Sequence, residues 1–115
     1  MVKSKPYVPE KGDIIWLNFN PQIGHEQSGR RPALVISPQE YNQKTDLAIL
    51  YPITSHVKGY PFEVKIPDDL EIKGVILSDQ IKNLDWKIRE AEFICKLPRM
   101  SFSETINKIS VLINL

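Results

Sequence analysis

Short apolar runs, each closed by a Pro, a Gly or a polar cluster, set the rhythm of this chain. Asp13 to Asn20 (DIIWLNFN) alternates Ile14 and Trp16 against Ile15, Leu17 and Phe19, the period-two pattern of a strand. Pro32 to Ser37 (PALVIS) and Leu47 to Ile53 (LAILYPI) are continuous apolar runs, suited to strands buried on both faces. Phe62 to Ile66 alternates apolar and polar residues, so one of its faces meets solvent. Gly74 to Ile81 and Glu92 to Leu97 bring the total to about six short strands. Their even spacing by turn signals predicts a mainly β chain folded as a small antiparallel barrel. The period changes at the C-terminus. Phe102, Ile106, Ile109 and Ile113 recur at four, three and four residues, and Ser101 and Glu104 stand at capping-box spacing. That predicts one packed helix. A shorter helix is expected over Pro38 to Gln43. Neither a repeat nor a linker interrupts the pattern, which predicts a single domain over 1–115.

Composition narrows the function. Of 115 residues, 42% are hydrophobic and 25% charged, ordinary globular usage that excludes disordered and coiled-coil classes. Fifteen Lys and Arg against 14 Asp and Glu leave a net charge of +1, far from the strong basicity of proteins that grip long nucleic acid by bulk charge. With one cysteine, Cys95, no internal disulfide and no cysteine metal cluster is available. The N-terminal residues lack an apolar signal region, and no apolar run approaches a membrane span. A cytoplasmic protein is expected, with no membrane partner. Trp16, Trp86 and Cys95 read as core or interface residues.

Three turns carry the chemistry: Pro21 to Arg31, Thr54 to Pro61, and Lys82 to Arg89. The first contains Gly24-His25-Glu26-Gln27-Ser28-Gly29-Arg30-Arg31-Pro32. A turn needs only Gly, Ser or Asn, so an imidazole, a carboxylate, an amide and two guanidiniums suggest recognition of a charged ligand. Guanidinium forks suit phosphate oxygens. Pro32 restrains the chain after Arg31, which predicts a held Arg31 and a freer Arg30. The alternative is a solvated polar loop.

The segment Gly24-x-Glu26-Gln27-x-Gly29-x-Arg31-Pro32, followed by an apolar strand and Ser37-Pro38, resembles the hallmark of MazF/PemK-type toxins. Tyr7-Val8-Pro9 with Gly12 to Trp16 resembles that family's opening strand. Pro52-x-Thr54 with Lys58 to Val64 resembles its central segment, and Gly74-Val75 with Asp79-Gln80 and Lys82 a later strand. The resemblance runs from Tyr7 to the end, nearest the chromosomal MazF branch. It implies an SH3-like, CcdB/MazF-type antiparallel barrel with a C-terminal helix. It also implies a homodimer, and metal-independent, cofactor-free cleavage of single-stranded RNA at a short, ACA-like site. The products would be a 2′,3′-cyclic phosphate and a 5′-hydroxyl. The implied partner is an antitoxin whose acidic, disordered tail covers the RNA groove.

By the same resemblance, Arg31, Thr54 and Glu26 are the catalytic residues. Arg31 would stabilise the phosphorane, Thr54 would bond a non-bridging oxygen, and either Glu26 or His25 would accept the 2′-proton. The Kid/PemK-like branch uses His, Asp and an Arg. Asp79 stands at the Asp position, but Leu77 occupies the place of that Arg, which favours the Arg31/Thr54 arrangement. His25, Gln27, Arg30, Lys58, Tyr60, Asp79 and Gln80 are the expected RNA contacts, through phosphates, stacking and base edges. His56 has no counterpart and reads as exposed and idle. The rival class is a non-enzymatic CcdB-type toxin that binds DNA gyrase, in which the Glu26 to Pro32 loop has no task.

Overall fold

The structure is a computed structural model, and it describes residues 6–20 and 29–113. Among these lie seven strands and two helices: β1 (Asp13–Asn18), β2 (Arg30–Val35), α1 (Gln39–Thr45), β3 (Leu47–Thr54), β4 (Glu63–Lys65), β5 (Val75–Leu77), β6 (Lys82–Asp85), β7 (Glu92–Lys96) and α2 (Arg99–Ile113). The strands form one sheet in the order β4-β5-β3-β2-β1-β7, with β6 also on β3. Every pairing is antiparallel. The chain is therefore mainly β with a C-terminal helix, as its hydrophobic pattern predicts.

Alternation along the strands divides the core in two. Ile14, Leu34, Tyr51, Ile53, Val64, Ile66 and Ile76 lie in one cluster, closed by Leu97 and by Ile109 and Phe102 of α2. Ile15, Leu17, Phe19, Ala33, Val35, Ala48 and Leu50 form the other, covered by Trp86 and the Tyr7–Val8 segment. Neighbours in sequence thus serve opposite faces, as a pleated strand requires. Buried Asn42 joins the second cluster to α1. Its Nδ2 donates to the carbonyls of Pro9 (2.8 Å) and Ser37 (3.1 Å), and its own carbonyl accepts the Trp86 indole N–H (2.9 Å). All of these groups are polar and enclosed, so the bonds remove what would be a desolvation cost.

Four features depart from the pattern. The expected third loop begins as a strand, because Lys82 to Asp85 pairs with Leu47 to Leu50. α1 runs to Thr45, two residues past the expected end, and stops where Asp46 turns left-handed (φ 59°). α2 begins at Arg99, so Ser101 lies inside its first turn and is not a cap. The buried stripe of α2 is Phe102, Thr105 and Ile109, while Ile113 is 74% exposed. Thr105 is tolerated in that stripe because its hydroxyl donates to the Phe102 carbonyl at 2.6 Å. Trp86 is buried as expected, whereas Trp16 is only half-buried. Cys95 is partly covered against the first cluster. No helix among the described residues is long and apolar enough to cross a membrane.

Candidate functional site

Strand β2 begins two residues earlier than the apolar run suggests, so Arg30 and Arg31 belong to the strand. β3 likewise extends to include Thr54. These extensions matter for the site. β2 and β3 pair Val35 with Leu50, Leu34 with Tyr51 and Ala33 with Pro52. The ladder ends at Ala33 and Pro52, since neither Pro32 nor Pro52 has an N–H to donate. Arg31 and Thr54 each lie two residues beyond that pair, Arg31 against Leu17 of β1 and Thr54 against Val75 of β5.

Beyond Thr54 the chain turns. The His56 N–H donates to Thr54 Oγ1 at 3.1 Å, which leaves the hydroxyl hydrogen available to a ligand. A cleft of about 680 Å³ opens beside this turn, lined by Thr54, Lys58, Tyr60, Asp79 and Gln80 among others. The structure therefore brings together five residues that the sequence places up to 26 positions apart. The Tyr60 hydroxyl donates to Asp79 Oδ2 at 3.0 Å. That bond and the adjacent negative charge push the phenol's pKa up, so Tyr60 stays protonated and the pair stays intact at neutral pH. The second Asp79 oxygen is enclosed and has no partner among the described residues.

Two glycine positions explain how the backbone reaches this shape. Gly59 has φ +79°, a left-handed turn that Lys or Tyr would adopt only with strain. At Gly74 (φ +123°) an added Cβ would sit 2.2 Å from the Thr54 carbonyl oxygen, so β5 approaches β3 only because no side chain intervenes.

The other predicted residues are placed differently. Arg30, expected to be free, is bonded to the fold. It donates to the Glu90 carbonyl at 2.8 Å and pairs with Glu92 at 3.2 Å, which commits it to the β7 side. His25, Glu26 and Gln27 lie outside the described residues. The ends of their segment are tied: Phe19 N–H donates to the Gly29 carbonyl (2.8 Å), and Gly29 N–H to Asn20 Oδ1 (3.0 Å). Arg89 adds a clamp, donating to the carbonyls of Asn18 and Asn20, both at 3.0 Å. Among the described residues, no group of three or more His, Cys, Asp or Glu is placed to hold a metal ion.

Residues 10–113 match the model of a family described as PemK-like, MazF-like toxins of type II toxin–antitoxin systems. The chain belongs to the PemK/MazF toxin family. It is 49% identical over 85 residues to the endoribonuclease toxin MazF of Escherichia coli K12, covering 74% of this chain and 76% of that protein. A crystal structure of MazF from Deinococcus radiodurans matches with a TM-score of 0.92 at 48% identity, covering 96% of this chain and 100% of that one. A MazE–MazF structure from the same organism matches at 0.85 and 43% identity, with 96% and 99% covered.

In this PemK/MazF family member the cleft and its supports include residues to which the sequence pattern assigns no task. His56 is exposed as expected, but it lines the cleft beside Thr54. Glu63 lines the same cleft and is bonded to its loop. Gly74 and Arg89 act through backbone contacts. Glu63 and Gly74 fall within segments that carry the family resemblance, but no local signal marks their tasks, because each depends on a neighbour distant in the chain or on the loop's folded shape.

Proposed function

We propose that this chain is a sequence-specific, metal-independent endoribonuclease toxin that cleaves single-stranded RNA at a short, ACA-like site. The observation that carries the reading is the cleft in which Thr54, Lys58, Tyr60, Asp79 and Gln80 meet, with Arg31 at the start of the neighbouring strand β2. A cation and a hydroxyl at a strand end suit a phosphate, and an aromatic ring with polar neighbours suits a splayed base.

In this reaction the RNA 2′-oxygen attacks the adjacent phosphorus and gives its proton to a base. The bond from phosphorus to the 5′-oxygen breaks, and that oxygen takes up a proton. The products are a 2′,3′-cyclic phosphate and a 5′-hydroxyl. Arg31 faces the charge that builds on the phosphorane oxygens and stabilises it where water would be displaced. It does not serve as the base, since a guanidinium holds its proton tightly. Thr54 donates its hydroxyl to a non-bridging oxygen while the His56 amide holds it in place. Either Glu26 or His25 accepts the 2′-proton. Lys58 pairs with a phosphate, Tyr60 stacks a base, and Asp79, Gln80 and Gln27 read base edges. Arg30 contributes long-range charge in addition to its bond with Glu92.

The chain acts as one domain and as a cytoplasmic homodimer. Its toxicity is held in check by an antitoxin with an acidic, disordered tail. The match to MazE–MazF complexes supports that partner. In the test, purified protein is incubated with single-stranded RNA in EDTA and the cleaved ends are mapped. Cleavage with 5′-hydroxyl ends is expected. Arg31→Ala is expected to lower kcat by roughly 100- to 1000-fold with folding retained. Intact RNA together with trapped gyrase–DNA complexes would identify a gyrase poison instead.

A further inference from the structure

Glu63 is the first residue of β4, half-buried and paired across the sheet with Leu77. Its side chain turns back onto the loop that precedes it. Oε1 accepts the N–H of Gly59 at 3.0 Å and of Tyr60 at 3.3 Å, and Oε2 accepts the N–H of Lys58 at 3.1 Å. Its own N–H donates to the Tyr60 carbonyl at 3.0 Å, closing the turn. Three successive amides converging on one anion, with a left-handed glycine in the middle, form a concave nest. Here the chain supplies the anion itself.

The same loop is fixed at its far end. The Ser78 N–H (3.1 Å) and hydroxyl both bond the Phe62 carbonyl, and Lys108 of α2 donates to the Pro61 carbonyl at 2.6 Å. What Glu63 alone controls is the near half, which carries Lys58 and Tyr60. Tyr60 then reaches Asp79. Without the carboxylate, three amides would turn to water and Gly59 would be released from the conformation that aims its neighbours.

We propose that Glu63 is a positioning residue: it is the template on which the Lys58–Tyr60 loop folds, and through that loop it sets the grip on RNA while leaving the chemistry at Arg31 and Thr54 alone. The inference rests on the ribonuclease reading above and deepens it. It also opposes what charge alone predicts. A carboxylate beside an RNA cleft repels phosphate, so its removal should tighten binding; as a template, its removal must weaken binding.

The test compares Glu63→Ala and Glu63→Gln with wild type on a long single-stranded RNA of mixed sequence, together with amide hydrogen exchange of the loop. Glu63→Ala is expected to raise KM roughly 10- to 100-fold with kcat within about threefold, and to accelerate exchange at Lys58, Gly59 and Tyr60. Glu63→Gln keeps an oxygen for Gly59 and Tyr60, so only the Lys58 amide is released and KM rises by about two- to fivefold. Lys58→Ala on the Glu63→Ala background should add less than it does alone. An unchanged or lower KM, equal effects of Ala and Gln, or a fall confined to kcat would overturn the proposal. If Glu63→Ala fails to fold, the Gln variant decides alone, through its selective effect on the Lys58 amide. If wild type leaves RNA intact, the ribonuclease reading fails, and exchange at the three amides still decides whether Glu63 holds the loop.

Discussion

Asp13 shows how a single buried carboxylate organises its surroundings. It is 3% exposed, accepts the Tyr7 hydroxyl at 2.5 Å and the Glu10 N–H at 3.0 Å, and meets the Lys96 ammonium at 2.6 Å. Burial pushes the Tyr7 pKa up, and the hydrogen bond and charge of Asp13, then the charge of Glu10, push it further. At Lys96 burial pulls the value down, but the bonds and charges of Asp13 and Glu10 outweigh it and the net shift is upward. Burial alone pushes Tyr51 up to about 12. All three groups hold their protons more tightly folded than unfolded. Their stabilisation is therefore complete below the unfolded values near pH ~10 and is lost as pH rises through the folded ones. The thermal midpoint followed by circular dichroism should begin to fall above about pH 8.5, where the Cys95 thiol, also pushed up by burial, titrates in the unfolded chain, and should fall steeply towards pH 12. A midpoint that held or rose through that window would contradict the assignment.

Helix α2 illustrates how an element's pattern underdetermines its packing. The four-three-four spacing treats Ile109 and Ile113 alike, yet Ile109 is buried in the first cluster and Ile113 stands in solvent. Ile109→Ala should cost about 2–4 kcal/mol in urea unfolding, through lost burial and the cavity left behind. Ile113→Ala, measured at dilute protein, should fall within about 0.5 kcal/mol of wild type. Equal costs would mean that the helix is rotated from the orientation described. Val111 and Leu112 are exposed beside Ile113, and Met100 is exposed at the other end of α2, apolar surface that the proposed homodimer would cover. Strand β6 shows the converse. Lys82-Asn83-Leu84-Asp85 has one apolar residue and no alternation to speak of, and it is a strand only because the edge of β3 offers it partners.

At the scale of the whole molecule, a net charge of +1 argues against a long duplex held by many phosphates, and it is compatible with a short local contact. The direct phosphate contacts expected at RNA are Arg31, Lys58 and Lys82, with Arg30 adding long-range charge. Three phosphate contacts to a single strand give a slope of log affinity against log salt of about −2. Filter binding of a catalytically inactive Arg31→Ala variant, which removes one contact, should give a slope of about −1.4. A slope several times steeper would require more phosphate contacts than these cations supply and would contradict the short-contact reading.

The composition and the hydrophobic pattern by themselves determined the class of the fold, most of its strands, the terminal helix and the absence of bulk charge. Those are properties of local periodicity, which each segment carries on its own. Motif resemblance named Arg31, Thr54, Lys58, Tyr60, Asp79 and Gln80. Only the tertiary structure decided that Thr54 meets Lys58, Tyr60, Asp79 and Gln80 in one cleft, that Arg30 is tied to β7, and that Lys82 to Asp85 completes the sheet. It alone assigned Glu63, Gly74 and Arg89 their tasks. The physical reason is common to all of these. Each depends on a backbone amide, a carbonyl or a strand edge brought into reach by folding, and such groups are the same in every residue, so the order of side chains along the chain does not reveal them.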